Sequence, residues 1–313
     1  RGVLLWIPGT LEGLEEAVER GVGQKAFAER NGLYYYTILW CCDFVEAAMD
    51  LLRGAFAKTR SRVGDELSLR DQLIEHSVRG MGRAFWRDVE AGARRAVWGT
   101  DAGAGLRNSR GLNGHLARFV RVLYRILDAR RLKLHVVAEG AGVLVLDELV
   151  ELLRRENRLS RFERVLGSLD LALPAIRVET ARERVLPLVE RLNARPVASG
   201  AVPPARVHLP SADLEARVRV GAYGKSILHF VANACMPRGR DDAHRPPTLL
   251  GMARALERIA GGVTGPPPGW IHVIDAPPDG VADPAAFEQA ALTNHPRLMA
   301  AIRETVLARV DGH

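Results

Sequence analysis

The segment that most constrains the fold is residues 134–149, LHVVAEGAGVLVLDEL, in which two hydrophobic runs flank a turn of small residues. The first run has the length and composition of a buried strand, and the leucines after Gly142 have helical spacing. A tight strand-to-helix turn needs small residues on both sides of its central residue, because the strand and the helix approach closely there. Ala138 and Gly142 meet this requirement, and the central residue is Gly140. The segment predicts a tight strand–turn–helix unit whose centre carries no side chain.

Short apolar runs alternate with helix-like stretches along the rest of the chain, and this alternation predicts a mostly parallel sheet with helices on both faces. The expected fold class is therefore α/β, in one domain spanning residues 1–313. Residues 58–110 are predicted to form helices and loops, and residues 58–114 are a candidate helical cap or docking insertion. Further strands are expected at residues 4–7, 34–40, 169–173, 205–209 and 270–274. Helices are expected at residues 11–20, where Gly21 and Gly23 would end the helix, at 44–56 and at 116–129, and a flexible stretch at 99–114.

Several motifs, taken in order, resemble the α/β-hydrolase family, and in particular its bacterial serine esterase and lipase-like members. The motifs that carry the resemblance are LWIPGT at residues 5–10, the strand with Trp40, the turn at 138–142, LALPAI at 171–176, YGKSILHFVANA at 223–234 and LLGM at 249–252. The resemblance implies an α/β-hydrolase-like fold in which Gly140 stands where the family has its nucleophilic serine. Glu139 stands where the bacterial relatives have a histidine beside that serine.

The resemblance also assigns the other chemical groups of the family's site. The acid would follow the strand at 205–209, where Asp213 and Glu215 are available and Asp213 is nearer the strand. The histidine place falls on Gln289, so the catalytic base is missing too. Gly9, Thr10 and Ala141 would occupy the oxyanion-hole places. The implied triad is therefore degenerate at Gly140 and at Gln289.

Three other sets of residues are alternatives for chemistry at the site. His295 could replace the missing base, although residues 293–296 also fit a helix N-terminus with Thr293 or Asn294 as cap and His295 exposed. Cys41 and Cys42 follow the second strand and could supply a thiol, or be ordinary buried cysteines. Glu139 could activate a water molecule. It also precedes a helix N-terminus, where the helix dipole favours an anion, so its role could be structural.

Composition narrows the classes of function. The net charge is +7, but the densest arginine run, at residues 154–164, alternates with glutamates, which is typical of a solvated helix face and argues against a nucleic-acid surface. Three cysteines form no disulfide framework, and no Cys/His spacing fits a zinc site. The sequence contains no complete motif for a phosphate-binding or dinucleotide-binding loop. No apolar run reaches the roughly 20 residues that a membrane span requires. We therefore expect a cytoplasmic protein without metal or cofactor.

Two functional hypotheses follow. The first is a catalytically degenerate α/β-hydrolase-like protein that acts as a binding, scaffolding or regulatory module through contacts with another protein. The second is an active esterase-like hydrolase whose nucleophile is relocated to Cys41 or Cys42, or whose attacking water is activated by the carboxylate of Asp213 or Glu139. The missing serine and the missing histidine favour the first hypothesis.

Overall fold

The structure is a computed structural model that describes residues 2–9, 14–40, 67–99, 114–196, 198, 200–220, 223–237, 246–259, 267–278, 287–288 and 292–310. The strands are β1 (Gly2–Ile7), β2 (Leu33–Thr37), β3 (Lys133–Glu139), β4 (Leu166–Ala172), β5 (Ala205–Pro210), β6 (Val218–Arg219), β7 (Ile271–Ile274) and β8 (Phe287–Glu288). The helices are α1 (Leu14–Arg30), α2 (Leu67–Trp98), α3 (His115–Arg130), α4 (Gly142–Arg155), α5 (Leu159–Val165), α6 (Val178–Glu183), α7 (Val185–Asn193), α8 (Ala212–Glu215), α9 (Ile227–Phe230), α10 (Ala255–Ile259) and α11 (Pro296–Leu307). A π-helical turn, Val231–Cys235, continues α9.

Six parallel strands form the central sheet of the described chain, in the order β2-β1-β3-β4-β5-β7. Leu5 pairs with Tyr36 of β2 on one side and with Val136 of β3 on the other. Parallel neighbours need crossover connections, which the intervening helices supply. The chain leaves β1 toward β2 and later returns to the opposite side of β1 as β3. The strand order therefore reverses between β1 and β3.

The two faces of the sheet are buried under different helices. Val3, Leu5 and Ile7 of β1 point into the larger apolar cluster, which includes residues of α2, α3, α4 and α7. Leu4 and Trp6 point into a second cluster with residues of α1 and α11. Alternate side chains of one strand therefore face opposite layers, as the pleat requires. The predicted α/β class, with a mostly parallel sheet and helices on both faces, is confirmed.

The glycines at residues 21 and 23 do not end the first helix, and that part of the sequence interpretation is wrong. Helix α1 continues to Arg30 and buries Phe27 and Ala28 against the sheet. A glycine inside a helix costs only about 1 kcal/mol relative to alanine. Burial of the apolar side chains in the last turns offsets that cost.

Residues 67–98 form one long helix where the sequence suggested helices separated by loops. Helix α2 passes through Gly80, Gly82 and Gly92 without a break. Ile74 and Trp86 are buried in the larger cluster, and Gly82 lies against the π-helical turn, where a β-carbon would be 3.0 Å from Ala234 O. The predicted helix at 44–56 and most of the stretch at 99–114 lie outside the described residues.

Candidate functional site

The predicted turn at residues 138–142, called here the elbow turn, connects β3 directly to α4. Gly140 has a φ angle of +51°, in the left-handed region that side chains other than glycine rarely adopt. A β-carbon on Gly142 would lie 2.2 Å from the carbonyl oxygen of Ile7, so the helix approaches β1 at a distance that only glycine permits. The strand, the tight turn and the close helix approach predicted from the sequence are all present.

Hydrogen bonds fix the main chain of Gly140 on both sides. Its N–H donates to Ala172 O at 2.9 Å, and its carbonyl oxygen accepts from Ala175 N at 2.9 Å. Among the described residues other than its chain neighbours, only Gly9 has an atom close to a β-carbon built on Gly140, with Cα at 3.6 Å, which is ordinary van der Waals contact. The central position therefore has room for a side chain and is held in a defined conformation, but offers no nucleophile.

The elbow turn lies at the carboxyl end of the sheet, where the strand order reverses. In open parallel sheets this reversal leaves a crevice that commonly binds ligands, because the loops after the two strands diverge. Gly9 follows β1, and a β-carbon there would lie 3.9 Å from Ala141 N. The indole of Trp40 donates to Pro8 O at 3.0 Å and fixes this loop. Two of the predicted oxyanion-hole residues, Gly9 and Ala141, are thus adjacent, and the third, Thr10, lies outside the described residues.

Glu139 is directed to the other side of the sheet, toward α1. Both of its carboxylate oxygens accept from Arg20 Nη1, at 2.5 and 2.6 Å, and one accepts from Trp6 Nε1 at 3.3 Å. The side chain is buried, and the N-cap residue of α4 is Ala141, without a side-chain cap. Glu139 is thus an ion-pair partner of α1, whereas the structural role considered from the sequence was at the N-terminus of α4.

His295 caps helix α11 and uses both nitrogens of its ring. Nδ1 accepts from Arg297 N at 3.1 Å, and Nε2–H donates to Ala276 O at 2.7 Å. The helix N-terminus was predicted correctly, but the cap is neither Thr293 nor Asn294, and His295 is buried with 1% of its surface exposed. A histidine whose two nitrogens are both occupied in this way is not available to take a proton from a nucleophile.

The loop after β5 carries both candidate acids, and they differ in environment. Asp213 is exposed on α8, whereas Glu215 is buried and accepts from Ala253 N at 3.0 Å. Burial raises the pKa of Glu215 to about 7. A series of hydrogen bonds connects the elbow turn to Glu215. Ala172 and Ala175 bond the main chain of Gly140, and Pro174 O accepts from Gly251 N, two residues before the Ala253 N–H that Glu215 binds. The preference for Asp213 from its position near the strand gains no support from this geometry.

Sequence reasoning missed a serine, histidine and glutamate that meet beside this loop. Ser226 Oγ lies 2.9 Å from His229 Nδ1, and Glu215 Oε1 lies 3.5 Å from the same nitrogen. A catalytic triad needs the serine and the acid on different nitrogens of the imidazole. Ser226 also caps α9 and accepts from His229 N at 3.4 Å. We therefore interpret the group as a helix cap beside a buried acid. The S-x-x-H spacing at residues 226–229 was the only sequence pattern that pointed to it.

A second missed group crosses three strands on the α11 side of the sheet. Asp170 Oδ1 lies 2.8 Å from His208 Nε2, and His208 Nδ1 lies 3.1 Å from His272 Nδ1. Burial raises the pKa of Asp170 and lowers that of His272 to about 4. Strand register brings these residues together, since His208 pairs directly with His272. They lie within the strands, and we assign them to the polar part of the core.

Some candidate residues fall outside the described chain, namely Cys41, Cys42 and Gln289. Within the described ranges, no group of three or more His, Cys, Asp or Glu side chains has the arrangement to hold a metal ion. No helix in the same ranges is long and apolar enough to span a membrane. Ion pairs engage most of the arginine run at residues 154–164: Arg154 and Arg155 with Glu151, Arg158 with Glu156, and Arg161 with Asp128.

Fold and site together define an α/β protein with a parallel sheet and a tight strand–turn–helix unit at its topological switch point. Comparison with protein-family models, with curated proteins and with solved structures finds no match.

Proposed function

We propose that this protein is a catalytically degenerate α/β-hydrolase-like protein, cytoplasmic in location, that acts as a binding, scaffolding or regulatory module through contacts with another protein. One observation carries the proposal. Gly140 has a left-handed conformation and space for a side chain, yet it has no hydroxyl or thiol. Acyl transfer on this type of site starts with attack by such a group, raised by the turn toward the substrate.

The second support for the proposal is that two described histidines, His295 and His229, lack the partners of a catalytic base. His295 is committed to a helix cap, and Ser226 and Glu215 both lie nearest to the same nitrogen of His229, Nδ1. Removing the nucleophile alone leaves the rest of a triad in place, whereas here neither histidine has triad geometry. Loss of several chemical groups with retention of the fold is the pattern expected of a protein that keeps a binding role.

The experiment that tests the proposal is hydrolysis of short-chain p-nitrophenyl esters by the purified protein. We expect the wild type, a Gly140→Ser variant and a Cys41→Ala/Cys42→Ala variant all to remain at the background rate. Gly140→Ala is the matched control for Gly140→Ser, because it has the same backbone strain without the hydroxyl. Turnover by the wild type that disappears with the two cysteines would replace the proposal with the alternative, an esterase-like hydrolase with a relocated nucleophile.

A carboxylate-activated water is the other form of that alternative, and it predicts a different result. Turnover would survive in the cysteine variant and fall when Glu139 or Asp213 is replaced by its amide. Because Glu139 is paired with Arg20, its variant must first be shown to stay folded, by circular dichroism at the assay temperature. Background rates in all of these variants support the binding role.

A further inference from the structure

An exposed apolar surface joins the edge strand β2 to helix α3. Tyr34 and Tyr36 of β2 are 66% and 44% exposed, and Val122 and Ile126 of α3 are 51% and 47% exposed. Phe119 connects the two elements, because its ring centre lies 5.3 Å from that of Tyr36. We call these five residues the β2–α3 patch. Large apolar side chains exposed side by side are typical of interaction sites rather than of ordinary surface.

In the part of the chain that the structure describes, helices cover only one face of β2, and this leaves the patch exposed. Leu33 and Tyr35 point toward α1 and contribute to the smaller apolar cluster. Tyr34 and Tyr36 point to the opposite face, where α3 covers the neighbouring strands. A strand of a parallel sheet is normally covered by helices on both faces. Among the described residues, the Tyr34 and Tyr36 face of β2 therefore lacks a covering helix of this kind beside α3.

The exposed side of α3 beside this patch is positively charged. Arg125 and Arg130 follow Val122 and Ile126 at helical spacings of three and four residues, so they lie next to the patch. Arg131 ends the helix, and all three side chains are exposed. None of them has an acidic partner among the described residues, and the one acid of α3, Asp128, is paired with Arg161.

We propose that the β2–α3 patch binds an acidic amphipathic helix of a partner protein. The apolar side of that helix would cover the tyrosines, Phe119, Val122 and Ile126, and its acidic flank would meet the arginines. A second copy of this chain is the poorer occupant, because a symmetric contact would bring the same exposed arginines together in a chain of net charge +7. This inference rests on the proposed binding role and names its partner chemistry.

The probe is a synthetic amphipathic helical peptide of about 15 residues with leucines on one face and glutamates on both flanks. Its twin has lysines in place of the glutamates. We expect the acidic peptide to bind the full chain in isothermal titration calorimetry. Binding should also protect backbone amides of β2 and α3 from hydrogen exchange, and it should weaken with added salt. The lysine twin should not bind.

Two variants locate the site. The double variant Tyr34→Ser/Ile126→Ser should lower the affinity for the acidic peptide by about tenfold or more, because it removes central apolar contacts. The double variant Arg125→Glu/Arg130→Glu should reverse the preference between the two peptides, so that the lysine twin binds more tightly than the acidic peptide. Val22→Ser is the matched apolar control, since Val22 is 65% exposed on α1 at the other face of the sheet. Lys25→Glu/Arg87→Glu repeats the charge change on α1 and α2, and should leave binding unchanged.

Several outcomes would overturn the proposal: no binding of the acidic peptide, equal binding of the two peptides, or binding that the patch variants leave unchanged. A dimer of the wild type that dissociates in the Ile126→Ser variant, measured by sedimentation equilibrium, would assign the patch to a second copy instead. The ester assay is independent of these measurements. Esterase turnover with intact peptide binding refutes only the proposed function, and background turnover without peptide binding refutes only this inference.

Discussion

The carboxylate of Glu139 accepts from Arg20 Nη1 through both of its oxygens, at 2.5 and 2.6 Å. Glu139 is the last residue of β3, directly before the elbow turn, and Arg20 lies in the middle of α1. The pair is nearly enclosed, with 6% and 14% of the two side chains exposed. It therefore connects the helix on one face of the sheet to the turn at its carboxyl edge.

Replacing one member of this pair should destabilise the fold. Glu139→Gln removes the negative charge from an enclosed pair of opposite charges, and we expect a loss of about 2–3 kcal/mol in the free energy of unfolding. Urea unfolding followed by circular dichroism measures this loss. Glu29→Gln is the control, because the Lys25–Glu29 pair is more than half exposed and its removal should leave stability unchanged. Equal stability of Glu139→Gln and wild type would show that the pair contributes nothing.

Local pattern was sufficient to predict the elbow turn, and was insufficient for the groups around it. The turn follows from the hydrophobic runs and small residues within residues 134–149, all close in sequence. The contact between Glu215 and His229 joins two loops, and Asp170 meets His208 through the register of neighbouring strands. Single-sequence spacing carries no information on such register. These polar groups could therefore be recognised only from the structure.

The errors have local physical causes as well. Gly21 and Gly23 are weak helix formers, but burial of Phe27 outweighed that preference. Thr293 and Asn294 have the better intrinsic preference for a cap, but His295 occupies the cap position because Ala276 O lies within reach of its other nitrogen. In each case a tertiary contact decided against the local propensity.

The two glycines of the elbow turn should respond differently to alanine. Gly140→Ala places a side chain at positive φ with free space, and should cost about 1–2 kcal/mol. Gly142→Ala places a β-carbon 2.2 Å from Ile7 O and 2.7 Å from Pro8 O, so strand or helix must move, and we expect a loss of about 3 kcal/mol or more. Thermal and urea unfolding of both variants measure the difference. The reverse order of stability would contradict the close packing of α4 on β1.

His295 should prove to be a structural residue. His295→Ala removes the cap of α11 and the bond to Ala276 O, and we expect a loss of about 2 kcal/mol with no change in ester hydrolysis. Asn294→Ala is the matched control, because Asn294 is exposed and precedes the cap by one residue. A stable His295→Ala variant with altered hydrolysis would instead return His295 to the list of candidate bases.

Glu215 should make stability depend on pH in a direction opposite to that of an exposed, ion-paired acid. Burial raises its pKa from 4.5 to about 7 in the folded chain. Below about pH 4.5 the carboxyl group is protonated in both the folded and the unfolded chain, and its contribution to the free energy of unfolding is fully present. Between pH 4.5 and about 7 the unfolded chain releases the proton while the folded chain retains it, so the free energy of unfolding falls as pH rises, by about 3 kcal/mol in total.

The difference between wild type and Glu215→Gln isolates this effect. The amide imitates the protonated acid and can still accept from Ala253 N, so the two proteins should have similar stability near pH 4 and the variant should be the more stable near pH 8. The buried His135 and the partly buried His272, whose pKa values burial lowers to about 4, give the opposite dependence, but they are common to both proteins. Asp213→Asn, at an exposed position of the same loop, is the matched control. Parallel urea-unfolding profiles of wild type and Glu215→Gln from pH 4 to 8 would mean that the Glu215 carboxyl is not protonated in the folded chain at neutral pH.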